Sequence, residues 1–314
     1  MEVFDIIAES EDFKYFAKSG RELAHSIMLI SKDEEYSLDF AKLLAVLILD
    51  EKIEKTSQNY QKVMLGSHPD VKYYPAKNQL LVADSEEIVS ESFVKPIFSS
   101  RKVFIIKSID NSTESAQNKL LKTLEEPSED AFLILTCSNP NLVLPTIKSR
   151  CVKRELAKVP DDKVLALLGQ NENSILAAAI ADGGISKAQR LANKEELKEI
   201  AAIAVEVLTK MASSKQILDF SKRIQMFPKD LQLFVQCLSA LVESLLQIKA
   251  GLQPRLEMFK DELAAKADDY TIRALCKIDE KICGLERELF YNVNPIFAIE
   301  NLLLNILEVK YICK

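Results

Sequence analysis

The stretch KVFIIKSIDNSTESAQNKLLKTLEEPSEDAFLILT (102–136) reads as strand, helix, strand. KVFII (102–106) is apolar, β-branched and aromatic, as a buried strand is. Thr113–Glu126 has helical spacing, with Ala116, Leu120, Leu121 and Leu124 on one face. Asn111, Ser112 and Thr113 offer N-caps, and Pro127 stops the helix. FLILT (132–136) is again a strand. Two apolar strands joined by an amphipathic helix predict a parallel βαβ unit with both sheet faces covered.

The same alternation extends upstream. SIMLI (26–30) predicts a strand, and Leu38–Ile48 a helix through Leu38, Ala41, Leu44, Ala45 and Ile48. QLLVAD (79–84) predicts another strand, and EEIVSESFVKPIF (86–98) a helix interrupted near Pro96. Beyond Cys151 the texture changes. KVPDDKVLALL (158–168) opens a helix after Pro160, and two short helices, Ser174–Asp182 and Lys187–Asn193, flank Gly183-Gly184. From about Glu195 only helical periodicity remains; its longest apolar example is Leu231–Leu252 and its last helix is Pro295–Lys310. The pattern predicts an α/β domain over 1–157, a small helical domain over 158–197 and an all-α domain over 198–314. Residues 51–67 carry no clear periodicity.

Bulk composition narrows the class. Of 314 residues 48% are apolar and 28% charged, which favours a packed core over disorder. No apolar run approaches the roughly 18 residues of a membrane span. The opening MEVFDIIAESEDF lacks the basic and apolar segments of a secretory signal. A soluble cytoplasmic protein is expected. The net charge of −6 lacks the basic footprint of a freestanding nucleic-acid-binding domain, so any such contact is expected to be local and within an assembly. None of the six cysteines forms a CxxC pair. Cys276 and Cys283 lie seven apart on one helix face, where core packing is expected. His25 and His68 have no ligand-like neighbours at metal spacing, so no metal site is expected.

His25, HPDV (68–71), NKLLKTLEEP (118–127), SNP (138–140), SRC (149–151) and NVNPIFAIENLLLNIL (292–307) occur in the order of a known family. Through them the chain resembles the clamp-loader branch of the AAA+ family, and within it the delta-prime type of subunit of bacterial DNA polymerase III. The resemblance implies a RecA-like AAA+ domain over 1–157, a helical lid over 158–197 and a collar over 198–314. It also implies the places where ATP chemistry should reside, and there the residues depart. A phosphate-cradling loop needs glycines for backbone approach, then lysine and Ser/Thr. Its counterpart here is SKDEEYSL (31–38), where Ser31 opens the loop, Tyr36 replaces a glycine, Ser37 the lysine and Leu38 the threonine. Asp33, Glu34 and Glu35 add negative charge. The acidic pair that should follow KVFII falls on Lys107 and Ser108, and a lysine cannot ligate Mg²⁺ as a carboxylate does. The second-sensor arginine falls on Ser186, with Lys187 next. The family's four-cysteine zinc module has no counterpart between 51 and 67, so zinc is not carried over.

Arg150 remains. By resemblance it is an arginine finger, directed in trans at the γ-phosphate of ATP on a neighbouring motor subunit. Arginine suits that task because it stays charged and its planar fork grips phosphate oxygens in pairs. Ser149 and Cys151 would shape and underpin the turn. Thr136, Cys137 and Ser138 fall near the first sensor, and a structural role is expected for them. Glu125-Glu126 is read as a solvated helix end, since adjacent helical carboxylates do not converge. Lys119 and Lys122 fit two readings, contact with the DNA backbone or plain solvated lysines. The last helix fits a core helix of its own domain and also a ring-closing collar helix.

The implied function is that of a non-motor clamp-loader subunit, without ATPase or polymerase activity of its own, within the DNA polymerase III holoenzyme. Its partners would be gamma/tau-type motor subunits and the delta subunit, with the sliding clamp and primed DNA met through the assembly. ATP–Mg²⁺ would sit on the neighbour and no cofactor on this chain. Two alternatives remain open: an independent AAA+ ATPase with a degenerate but working site, and the clamp-opening delta subunit.

Overall fold

The computed structural model describes residues 2–76, 79–288 and 294–312. Asn292 and Val293, which open the last motif, and Cys313 lie outside the described residues. The chain divides into two compact units, Met1–Leu167 with Gly184–Ser186, and Leu168–Gly183 with Lys187–Lys314.

The first unit is built on five parallel strands: β1 (Ser26–Ile30), β2 (Val71–Tyr74), β3 (Lys102–Ile106), β4 (Ala131–Cys137) and β5 (Val152–Glu155). Their spatial order is β2-β3-β4-β1-β5. Register pairs Met28 with Leu135 and Phe104 with Leu133, placing the most apolar strands at the centre. Every residue of β3 and β4 is buried, whereas β2 is half-buried and β5 largely exposed.

One sheet face is covered by the helices Val82–Ser92, Glu114–Glu125 and Pro145–Lys148, whose Ile88, Ala116, Leu120, Leu124 and Ile147 pack on Met28, Phe104, Ile106, Leu133 and Leu135. The other carries the helix Glu34–Asp50, overlaid by the helices Val3–Glu9 and Glu11–Ser19. Covered on both sides, Glu34–Asp50 buries nearly every residue from Phe40 to Leu49, more than one apolar stripe would require. Phe13 and Phe16 meet Phe40 edge-on, with ring centroids 5.6 and 6.1 Å apart. The helix ends at Glu51, which takes a left-handed conformation (φ 60°).

Several expectations need correction. QLLVAD (79–84) is not a strand: the Leu81 N–H donates to Asp84 Oδ2 (2.8 Å), capping a helix that begins at Val82 and ends at Ser92. The strand of that region is instead VKYY (71–74), inside the HPDV motif and just after it. VKRE (152–155) is a further strand that alternation of apolar residues does not reveal. The first-face helix Glu114–Glu125 has the expected span, with Thr113 Oγ1 accepting from the Ala116 N–H (3.2 Å).

The second unit is all-α. Its core joins Leu176 and Ile180 of the helix Glu172–Ala181 to the helices Leu197–Lys210, Ser214–Gln225, Leu231–Lys249, Ile272–Glu288 and Pro295–Ile312. Leu231–Lys249 is, among the described residues, the one helix long and apolar enough to cross a membrane, contrary to the expectation that no run approaches that length. Its Leu233, Phe234, Leu238, Leu241 and Leu245 form the middle of this core. On the last helix Ile299, Leu302, Leu303 and Ile306 are buried, while Ile296 and Phe297 are exposed. Cys276 is exposed and Cys283 only partly buried, so the expectation of core packing fails: the buried stripe of Ile272–Glu288 runs instead through Ala274, Leu275, Ile278, Ile282 and Leu285.

Candidate functional site

Between β1 and the helix Glu34–Asp50 only Ser31, Lys32 and Asp33 are left, so the helix starts well inside the segment 31–38. The first turn of a helix presents orphan N–H groups and the positive end of the helix dipole, the natural seat for a phosphate. Asp33 fills that seat. Its Oδ1 accepts from the Tyr36 N–H (3.1 Å), and its Oδ2 accepts from the Ser186 N–H (2.9 Å) at the start of the helix Ile185–Ala192. One carboxylate thus satisfies orphan donors of two helix N-termini, and an incoming anion would have to displace it. Glu34 and Glu35 follow in the first turn and repel a further negative charge. Tyr36 is buried and edge-on to Phe40; burial first, then the charges of Asp12 and Asp33, push its phenol well above its ordinary value. Ser37 is buried too, and its hydroxyl donates to the Glu34 carbonyl (2.8 Å). Leu38 is partly buried.

Past β3, the Lys107 N–H donates to the Tyr74 carbonyl (2.7 Å). Ser108 is left-handed (φ 48°), and its N–H donates to Thr136 Oγ1 (3.0 Å). Thr136 is therefore spent on holding β3 to β4. Asp110 Oδ2 accepts from the Ser138 N–H (3.2 Å), the Ser138 hydroxyl (2.7 Å) and the Asn139 N–H (2.8 Å), which pins the SNP turn. The other oxygen of that carboxylate, Oδ1, is buried without a hydrogen-bond partner. Among the described residues no group of three or more His, Cys, Asp or Glu side chains could hold a metal ion.

The turn carrying Arg150 closes the short helix Pro145–Lys148; the Arg150 N–H donates to the Ile147 carbonyl (3.0 Å). Gln117, buried in the neighbouring helix, holds the approach to this turn: its Oε1 accepts from the Leu144 N–H (2.9 Å) and its Nε2 donates to the Leu142 carbonyl (3.3 Å). The Arg150 side chain is 29% exposed. Its Nε donates to Glu125 Oε1 (2.7 Å), its Nη2 also meets Glu125, and its Nη1 donates to the Thr146 carbonyl (2.8 Å). Ser149 is exposed, with its hydroxyl on the Thr146 carbonyl (3.0 Å). Cys151 is buried beneath the turn, and burial pushes its thiol up to about 12. A thiol so far from ionisation at neutral pH is a packing group.

The segment 51–67, opaque in sequence, contains a helix Gln58–Met64 and is tied down by a polar relay. Asp50 accepts from the Ser57 hydroxyl (2.7 Å) and Asn59 Nδ2 (2.5 Å). Buried His68 bridges onward, its Nε2 donating to Asn59 Oδ1 (2.9 Å) and its Nδ1 accepting from the Asp70 N–H (3.1 Å). Asp70 then takes the N–H groups of Ile97 (2.6 Å), Phe98 (2.7 Å) and Ser99 (2.7 Å). His25 serves the sheet: its Nδ1 donates to the Ala131 carbonyl (2.9 Å) and its ring stacks on Phe132 at 4.5 Å.

Lys119 pairs with Glu86 at 2.8 Å, and both side chains are about half exposed; Lys122 is exposed. Sequence reasoning missed Asp33 as a helix-joining carboxylate, Glu125 as the partner of Arg150 and Gln117 as the staple of the preceding loop. Capping preference alone marks Asp33, because Asp before a helical run is an N-cap signal.

Residues 9–160 match the family described as DNA polymerase III, delta subunit. A DNA polymerase III subunit delta' of Bacillus subtilis (strain 168) is 28% identical over 196 residues, 59% of this chain and 59% of that protein. Its counterpart in Escherichia coli (strain K12) is 30% identical over 133 residues, 40% of this chain and 39% of that protein. The aligned part of this chain thus spans less than two thirds of these relatives. Among solved structures, a DNA polymerase III, gamma subunit-related protein from Thermotoga maritima MSB8 superposes with a TM-score of 0.52 at 18% identity, over 96% of this chain and 100% of that one. That likeness extends to the fold.

Proposed function

We propose, from the match of residues 9–160 to the family described as DNA polymerase III, delta subunit, and from the likeness to the subunit delta' of other bacteria, that this chain is a non-motor clamp-loader subunit. In this reading 1–157 is an AAA+ domain with a disabled nucleotide site, 158–197 a lid and 198–314 a collar. The chain joins gamma/tau-type motor subunits and a delta subunit in the cytoplasm, beside the nucleoid. The assembly opens a sliding clamp and places it on primed DNA. Lys119 and Lys122 contribute at most weak backbone contacts there, Lys119 having first to leave Glu86.

The observation that supports this reading most is Asp33. Its two oxygens are spent on the Tyr36 and Ser186 N–H groups, at the seat a triphosphate would need. Ser37 and Ser108 are likewise engaged within the chain, and Ser186 lacks the guanidinium a sensor would use. The chain binds no nucleotide cofactor and hydrolyses no ATP by itself. Arg150, by contrast, stays at the surface on a braced turn. It acts in trans, its guanidinium meeting the charge that grows on the γ-phosphoryl group of a neighbour's ATP. Phosphoryl transfer asks a protein mainly for positioning and electrostatics, and an arginine from the adjoining subunit supplies both.

The experiment is reconstitution. Mixed with gamma/tau-type and delta subunits of the same organism, the chain should co-elute with them from a sizing column, and clamp loading on primed DNA should require it. Separate elution, or loading that proceeds equally well in its absence, would contradict the reading.

A further inference from the structure

We propose that Glu125 is the positioning residue of the Arg150 finger, holding the guanidinium so that one edge of its fork is kept for the neighbour's phosphate. The inference rests on the trans-finger reading above and deepens it.

Arginine carries N–H donors in a fixed planar fork, and a free surface arginine samples many rotamers before it can use them. Arg150 is not free. Glu125 takes Nε and Nη2 along one edge, and the Thr146 carbonyl takes Nη1. A further approach of Nη1 to Ser149 Oγ, at 3.5 Å, is at the limit of a hydrogen bond. These contacts leave each terminal nitrogen a second hydrogen. That is the pair a phosphate oxygen pair would use, and phosphate recognition by paired N–H groups favours arginine.

Glu125 is itself held. It is the last residue of the helix Glu114–Glu125, which packs Ala116, Leu120 and Leu124 on the sheet. Through Gln117 the same helix also fixes the loop that leads into the Arg150 turn. The turn of the finger and its carboxylate brace are therefore both tied to one helix. As a surface ion pair, Arg150–Glu125 contributes little to folding. Its consequence lies in the geometry of the guanidinium, since a reacting group displaced by a fraction of a bond length loses rate steeply.

The test uses the full reconstituted complex and a mutant cycle: Glu125→Ala, Glu125→Gln, Arg150→Ala and the double variant Glu125→Ala/Arg150→Ala. DNA-stimulated ATP hydrolysis at the neighbour's site should fall about tenfold in kcat for Glu125→Ala, and less for Glu125→Gln, which keeps an acceptor. Assembly and the melting curve of the chain should not change. In the Arg150→Ala background Glu125→Ala should have no further effect, because the brace acts only through the finger. Hydrolysis that falls for Arg150→Ala but not for Glu125→Ala would overturn the positioning role and leave the finger intact. Losses that multiply in the double variant would also overturn it. Hydrolysis unchanged in Arg150→Ala would remove the finger and the brace together.

Discussion

Replacing Arg150 with alanine should lower DNA-stimulated ATP hydrolysis at the neighbouring site it serves roughly 10³-fold, the lower end of what trans-acting arginines contribute, while the chain still folds and assembles. The reason folding survives is in the surroundings of the side chain. Arg150 is partly exposed, and the contacts it loses are a surface ion pair with exposed Glu125, worth under about 1 kcal/mol, and a hydrogen bond to the Thr146 carbonyl. Its backbone N–H still closes the turn on Ile147. Lysine at the same place should restore little, since a point charge cannot reproduce a fork held along one edge by Glu125. Steady-state hydrolysis with primed DNA and clamp present, alongside a sizing profile of the complex, measures both halves of the expectation. Wild-type hydrolysis in the alanine variant would rule the role out.

Asp70→Ala should cost the chain about 3 kcal/mol of stability, because it strips the acceptor from three N–H groups that now bond to a charge. Asp70 is fully buried, and Ile97, Phe98 and Ser99 all donate to it at 2.6–2.7 Å. Burial by itself raises its pKa, but the N–H groups of Ile97, Ser99 and Phe98 outweigh burial and hold the carboxyl below its ordinary value of 3.8. The sign follows. A carboxylate depressed in the folded state contributes stability that is complete above its unfolded value and is lost as the pH falls through the folded one. The Asp70 contribution is therefore whole at neutral pH and drains away below about pH 4. Urea melts of wild type and Asp70→Ala should differ most at neutral pH and converge in strong acid. A gap that stays constant as the pH is lowered would contradict the assignment.

How much of this was legible beforehand follows a physical line. The three central strands, SIMLI, KVFII and FLILT, show as apolar runs because helices cover both their faces. The two edge strands do not. VKYY has a half-buried pattern and VKRE is mostly exposed, so neither carries the apolar signal, and QLLVAD, which does, is the cap and first turn of a helix. The order of the motifs singled out the site segments, but the contacts their side chains make were not readable. Asp33 reaches Ser186 across 153 positions, and Arg150 reaches Glu125 across 25. Contacts of that kind depend on the packed sheet, which brings the start of one helix beside another, and no local pattern encodes them. The relay from Asp50 through Asn59 and His68 to Asp70 is a further case: each residue reads as an ordinary polar one until the loop 51–67 is folded around it.

The central claim is that this chain has closed its own nucleotide seat with Asp33 and serves a neighbour's instead. The most direct test is a calorimetric titration of the isolated chain with ATP and Mg²⁺. A titration with no saturable heat, while the assembled complex binds ATP, is the predicted result; a saturable isotherm at micromolar nucleotide for the chain by itself would contradict it.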